Sequence, residues 1–189
     1  MHAGGAFDSA DEEGPLANET HIRVLDITDR RPFGSELQAI SEPRLYIIRA
    51  RVHNPGELTT SSRIELGDSR IGPISRLRFR DLSSVASDSL IDEIANLIEA
   101  DPERHLNFYN RANAISLKIH AFQLLGGIGS SKAQKMVQSR GSAGWMSFKE
   151  VDAACEIESI RLLAERYHRE MEDPSNNLRL LDLMIRTDD

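Results

Sequence analysis

The chain has 189 residues, of which 40% are apolar and 28% charged, a composition typical of one or two small folded domains. Its longest apolar run is four residues, Leu45–Ile48, so we expect no transmembrane helix, and its first residues lack the pattern of a secretory signal. The single cysteine, Cys155, cannot form an internal disulfide, so we expect a reducing, cytoplasmic location.

The net charge of −7 is distributed very unevenly along the chain. Residues 44–80 carry +5, residues 81–103 carry −7, and residues 104–149 carry +7, with seven bases and no acid. At the chain's average density of 30 acids in 189 residues, a 46-residue window should hold about seven acids. Two basic blocks on an acidic protein favour a polyanionic partner, and chance clustering of solvated faces is the alternative.

The first half of the chain predicts an acidic tail followed by a small β-domain. Residues 1–19 carry five acids and few large apolar groups, which predicts disorder. Residues 20–82 contain five short strand-like segments separated by turns, the pattern of a small barrel or sandwich. These segments are His21–Ile27 (with a slip in its alternation), Gln38–Ile40, Arg44–His53, Arg63–Leu66 and Ile74–Arg80.

Arginines alternate with apolar residues on the last two long segments. In the third segment Tyr46, Ile48, Ala50 and Val52 share one face, and in the fifth Leu77 and Phe79 do. The opposite faces carry Arg49, Arg51, Arg76, Arg78 and Arg80. Neighbouring like charges repel, so this arginine face is easiest to explain by an anionic partner. The alternative is that these arginines extend over apolar surface and pair with Glu57, Glu65 or the acidic block after them.

Residues 83–172 predict an all-α domain. Ser84 or Ser87 is expected to cap a helix with Val85, Ile91, Ile94 and Ile98 on its apolar face. Pro102 is expected to begin the next helix, and apolar residues between Phe108 and Leu125, including Ile115, Leu117 and Ile119, are expected to lie in one or two helices. A third helical region covers residues 150–172, and residues 173–189 are expected to dock on the body.

The motif Gly127-Ile128-Gly129 resembles the turn of a helix-hairpin-helix, a small nucleic-acid-binding motif. Glycines let the backbone approach a ligand closely, and Ser130 and Ser131 would open a helix whose free N–H groups point at an anion. Helix starts favour acids, yet here Lys132 and Lys135 follow. We therefore predict phosphate contact at residues 127–132 and Lys135, with pure packing as the alternative.

A second, degenerate hairpin is predicted around residues 154–159. Helix-hairpin-helix tandems commonly continue with an aromatic residue and a segment like Ser147–Val151, which places the next two glycine positions at Glu156 and Glu158. Carboxylates there repel phosphate, so we expect this hairpin to pack without binding.

The order of these segments resembles an archaeal family catalogued as domain of unknown function 655. The resemblance covers roughly residues 20–172 and rests on Leu45–Ile48, Arg63–Gly67, an acidic helix, Phe108–Ala112 and Leu124–Gly129. It implies an OB-like barrel followed by a helix-hairpin-helix domain, in a cytoplasmic, archaeal, nucleic-acid-binding protein acting near RNA or the translation apparatus. Gly126 replaces a common proline of the family, and Ser130 and Ser131 replace usual basic residues.

No catalytic, metal or cofactor site is expected. The six histidines show no ligand spacing, Cys155 has no partner thiol, and acids such as Asp92 and Asp152 are better explained as solvated or structural groups. We expect a noncatalytic protein that binds RNA, or structured nucleic acid, through the phosphate backbone. The alternative is an adaptor in a ribonucleoprotein or ribosome-associated complex, contacting its partner through the acidic tail and Leu178–Ile185.

Overall fold

The computed structural model describes residues 14–175 and 177–187, so most of the predicted acidic tail lies outside the described residues. The fold is mixed α+β, as predicted. One five-stranded antiparallel sheet has the order β4-β1-β2-β3-β5 and is open, with β4 and β5 as its edges. The strands are β1 (His21–Asp29), β2 (Ser35–Glu42), β3 (Ile47–Val52), β4 (Arg63–Glu65) and β5 (Ser75–Arg76).

The slip in the alternation of β1 corresponds to an irregularity in its pairing with β2. The register shifts between Val24 and Asp26, so Leu25 has no partner on β2. The chain has two apolar clusters, a smaller one formed mainly by strand residues and a larger one formed between the sheet and the helices. Because of the shift, Val24 packs in the smaller cluster and Leu25 in the larger one. This irregularity allows a single strand to contribute to both cores.

Strand β3 has the predicted alternation over most of its length. Ile48, Ala50 and Val52 are buried on one face, while Arg49 and Arg51 are exposed. The fifth predicted segment is much shorter as a strand than its pattern suggested. β5 ends at Arg76, and the chain continues in an extended conformation at Arg78 into a short 3₁₀ helix, Phe79–Asp81.

The helical half contains α1 (Ser84–Ala100), α2 (Pro102–Arg111), α3 (Ser130–Arg140), α4 (Phe148–Cys155) and α5 (Ser159–Glu172). The N-cap of α1 is Ser83, rather than Ser84 or Ser87, because its Oγ accepts from the Ala86 amide at 3.1 Å and donates to Asp26 at 2.6 Å. α1 then packs on β1, β2 and α5, so sheet and helices share one core.

Two sequence expectations for the helical half were wrong in detail. Val85 lies in the first turn of α1 and is 52% exposed, and Ile115, Leu117 and Ile119 are exposed in a loop rather than packed in a helix. In that loop the Ile115 amide donates to the Ile119 carbonyl at 2.8 Å, which closes a tight turn. The region 150–172 divides into α4 and α5 at a turn over residues 156–158, within the segment where the second hairpin was predicted.

The C-terminal segment ends in a helical turn, Leu181–Ile185, held by a buried ion pair. Arg166 donates to Glu170 at 2.6 Å, and the Glu170 carboxylate accepts from the amides of Leu180 and Leu181, both at 2.9 Å. Leu180, Leu181 and Ile185 are buried in the main core. Of the apolar side chains expected to contact a partner in the adaptor alternative, these three pack within the chain itself, whereas Leu183 is 58% exposed.

Candidate nucleic-acid interface

In the turn at residues 126–129, Gly127 and Gly129 are exposed, whereas Ile128 is buried in the core and cannot contact a phosphate through its side chain. Gly127 has a φ of +74°, which a side chain would strain, and a Cβ placed on Gly129 would meet nothing within 4 Å. Gly129 is the N-cap of α3 and provides no side-chain cap. Within the described part of the chain the amides of Ser130 and Ser131 have no hydrogen-bond partner. Bare N–H groups at an exposed helix start can bind an anion.

The two lysines after this turn differ in exposure and in hydrogen bonding. Lys132 is half-buried, and its Nζ donates to the carbonyl oxygen of Glu156 at 3.1 Å. Lys135 is exposed and has no such contact among the described residues. Lys132 therefore holds the two turns together as well as contributing charge, and Lys135 is the lysine left for an external partner.

Arg169 is a cation beside the turn that the sequence did not reveal. It is exposed on α5, and its Nη2 would lie 3.8 Å from a Cβ placed on Gly126. Arg169 lies within a predominantly acidic stretch far along the chain. Only the packing of α5 behind the turn could have indicated it.

The second predicted turn lies opposite the first. Glu156 ends α4 with a φ of +52°, in the conformation that Gly127 adopts in the first turn, and Glu158 begins α5. A cleft of about 540 Å³ separates the turns, and four carboxylates line it: Asp152, Glu156, Glu158 and Glu165. Phosphate would be repelled there, which leaves the outer, α3 side of the first turn for an anion.

Polar groups in this cleft have structural partners. Asp152 accepts from the Ser159 amide at 2.7 Å, at the start of α5. Arg161 pairs with Asp92 at 2.7 Å and with Glu165 at 3.2 Å. Among residues 14–175 and 177–187, no group of three or more His, Cys, Asp and Glu side chains could hold a metal ion.

The arginine face is exposed along its whole length. The register pairs Arg49 with Ser75 and Ile48 with Arg76. Because directly opposed residues share a face of the sheet, Arg76 lies on the Ile48 side and not beside Arg49, so the prediction of one face for all five arginines is wrong for Arg76. Arg78 pairs with Asp81 at 2.8 Å, Arg49 contacts the Ser75 hydroxyl at 3.4 Å, and Arg76 lies over the Tyr46 ring. Arg51 and Arg80 have no ion pair or hydrogen bond with any described residue. The alternative thus holds in part, because Arg78 pairs with the acidic block and Arg76 packs over an apolar ring.

A further arginine extends this face. Arg30, at the end of β1, lines a cavity of about 460 Å³ together with Arg49, Arg76 and Arg78. Its position reflects the pairing of β1 with β2, through the ion pair Arg30–Glu36 at 3.5 Å, and could not be deduced from alternation.

Helix α5 lies between the first turn and the arginine face. Arg169 reaches Gly126, while its neighbour His168 packs edge-on against Phe79 with ring centroids 5.1 Å apart. An α-helix with its side chains is about 10–12 Å across. A polyanion that contacts both the first turn and the arginine face must therefore span roughly that distance.

Residues 26–181 match the family described as "Protein of unknown function (DUF655)". The chain belongs to this family. This DUF655 protein is similar to the uncharacterized protein MJ0038 of Methanocaldococcus jannaschii, at 21% identity over 168 residues, 84% of this chain and 77% of MJ0038. Its fold is similar to the crystal structure of Af1531 from Archaeoglobus fulgidus, another DUF655 protein, with a TM-score of 0.78 and 21% identity over 86% of this chain and 99% of Af1531.

Two aromatic side chains of this DUF655 chain near the first turn are unavailable for stacking on bases. Trp145 and Phe148 are 6% and 7% exposed and pack in the core. In the part of the chain that the structure describes, no helix has the length and apolarity to cross a membrane.

Proposed function

We propose that the protein binds RNA, or another structured nucleic acid, through its phosphate backbone and without catalysis. In this proposal an OB-like β-unit presents the arginine face, and a helix-hairpin-helix presents the turn at residues 126–129. Support for the OB-like unit is the strand order β4-β1-β2-β3-β5, in which β1 pairs with both β2 and β4, as it does in a five-stranded barrel, while the sheet here stays open between β4 and β5. Support for the hairpin is the pair of matching turns with a positive φ at Gly127 and Glu156.

The observation that carries this proposal is the exposed set of five arginines on β3, on β5 and in the segment after β5. Four of its five guanidiniums, all except Arg78, have no carboxylate partner among the described residues. Clustered cations repel one another, and a row of phosphates removes that cost while releasing counterions. Since phosphate contacts carry no sequence information, we expect weak sequence preference.

Charge reversal at one position in each surface tests the proposal. Arg51→Glu on the arginine face and Lys135→Glu on α3 should each weaken RNA binding in a fluorescence-anisotropy titration. Both side chains are exposed, and neither contributes a structural hydrogen bond within the described chain. Lys149→Glu, an equal charge change at an exposed position on α4, is the control. Equal affinities for all three variants and the wild type would reject the proposal.

The same variants separate RNA binding from the adaptor alternative. An adaptor would keep its protein partner in both variants and lose only RNA that is carried along with the complex. Lys132 is a poor choice for this test, because its substitution would also remove the hydrogen bond to Glu156 that joins the two turns.

A further inference from the structure

A cationic groove runs between the end of the arginine face and the C-terminal segment. It has a volume of about 700 Å³, a size typical of small-molecule sites. Strand β5 and the extended chain after it form one wall, and residues of α5 and the C-terminal turn form the other. Five arginines line it: Arg76, Arg78, Arg80, Arg179 and Arg186.

The charge of the groove is not balanced by its own carboxylates. Glu172 is the acid in its lining. Asp81 pairs with Arg78 at 2.8 Å, and Asp182 pairs with Arg179 at 2.8 Å and approaches Arg186 at 3.5 Å. Five arginines against three carboxylates leave a net charge of +2 at this place.

The floor of the groove is held rigidly. The Tyr46 ring lies between two guanidiniums, with Arg76 Cζ 4.8 Å and Arg186 Cζ 4.3 Å from its centroid. Arg186 also donates to the carbonyl oxygens of Arg44 and Leu45, at 3.1 and 2.9 Å. These cations are therefore positioned before any ligand arrives, which lowers the entropic cost of binding.

Two arginines of the groove are unfavourably buried, and one of them has an unpaired donor. The Nε of Arg179 is buried and has no hydrogen-bond partner in the described chain. Burial lowers the pKa of the Arg186 guanidinium, which shows that its positive charge is destabilised where it lies. Buried cationic groups of this kind are stabilised by an anion.

We propose that this groove binds a phosphomonoester dianion, specifically the terminal phosphate of a nucleic-acid strand lying on the arginine face. A phosphomonoester carries close to two negative charges at neutral pH, whereas each phosphodiester carries one. The net charge of +2 thus matches a strand end better than a strand interior. Planar guanidiniums suit the oxygens of such a group. That the phosphate belongs to a nucleic-acid strand rests on the proposed function. That the groove binds a phosphomonoester does not.

Anisotropy titrations with one RNA sequence in three forms test this inference. The forms carry a 5′-phosphate, a 3′-phosphate or hydroxyl groups at both ends. One phosphorylated form should bind at least about tenfold more tightly than the hydroxyl form, the factor expected for one charge-assisted hydrogen bond. Arg80→Gln and Arg179→Lys should remove that preference. Arg51→Gln, on the arginine face but outside the groove lining, should weaken all forms equally and keep the preference.

The outcomes separate this inference from the proposed function. Equal binding of the three RNA forms overturns the terminal-phosphate site while leaving RNA binding intact. If none of the forms binds, the proposed function fails, and adenosine 5′-monophosphate then tests the groove alone. Saturable binding of that nucleotide that is lost in Arg80→Gln supports a phosphomonoester site with a free nucleotide as its source, and absence of binding overturns it.

Discussion

Lys132, in the first turn of α3, donates from its Nζ to the carbonyl oxygen of Glu156, at a distance of 3.1 Å. The contact joins two turns of opposite character. Gly127-Ile128-Gly129 contains no acid and exposes its two glycines, whereas Glu156-Ile157-Glu158 repeats its spacing with acids at the glycine positions. The second turn can therefore support the first without competing for phosphate.

Gly129→Ser should raise stability and lower RNA affinity together. Gly129 has N-cap geometry, with φ −85° and ψ 178°, and a serine there would cap the open amides of α3. Such a cap stabilises by a few tenths to about 1 kcal/mol, but it occupies the donors that a phosphate needs. Thermal unfolding and anisotropy with RNA measure the two effects. An unchanged affinity in a folded variant would show that these amides do not contact the ligand.

Glu156→Gly should stabilise the fold by about 1 kcal/mol, because glycine adopts a positive φ without the strain that a side chain has there. Gly127→Ala is the matched opposite change. Its Cβ would meet no atom within 4 Å, so the strain at φ +74° should cost about 1 kcal/mol through the backbone alone. Urea unfolding checks both signs. If both substitutions changed the free energy of unfolding by the same amount in the same direction, the two turns would not be equivalent.

Acid should destabilise the protein through His105, which is buried against the Tyr167 hydroxyl at 3.2 Å. Burial lowers its pKa from 6.5 to about 4. The unfolded state binds a proton near pH 6.5 and the folded state does not until about pH 4, so stability is lost as pH falls through this window, by roughly 3 kcal/mol in total. Unfolding free energies of His105→Gln should fall less steeply over this range. A His105→Gln variant that keeps the wild-type slope would contradict this assignment.

The buried ion pair Arg166–Glu170 should be essential for docking of the C-terminal turn. Glu170→Gln leaves Arg166 buried without its counter-charge, at an expected cost of about 3 kcal/mol or more. The amides of Leu180 and Leu181 should then lose protection from hydrogen exchange. Glu165→Gln, which breaks the exposed pair with Arg161, should cost less than about 1 kcal/mol. Similar costs for both variants would contradict this role.

Much of the fold followed from local patterns. Alternation predicted the buried and exposed faces of β3, and Pro102 marked the start of α2 as expected. The turn glycines were located from spacing alone, because a positive φ at Gly127 is a local requirement.

Features fixed by tertiary contacts could not be predicted in this way. Ser83 was preferred to its neighbouring serines as a cap because Asp26 and Gln38 of the sheet bind it. Ile115, Leu117 and Ile119 are apolar yet exposed, because a loop of this length closes on its own backbone rather than on the core. Arg169 and the arginines of the C-terminal segment join the candidate surfaces only through the packing of α5 and the last turn.

The salt dependence of RNA binding tests the central claim most directly. If the turn and the arginine face together neutralise about four or five phosphates, log affinity against log salt concentration should have a slope near −3 to −4. Lys135→Glu and Arg51→Glu should each make that slope shallower by about one. A flat salt response, or RNA binding that neither substitution changes, would contradict phosphate-backbone recognition by these two surfaces.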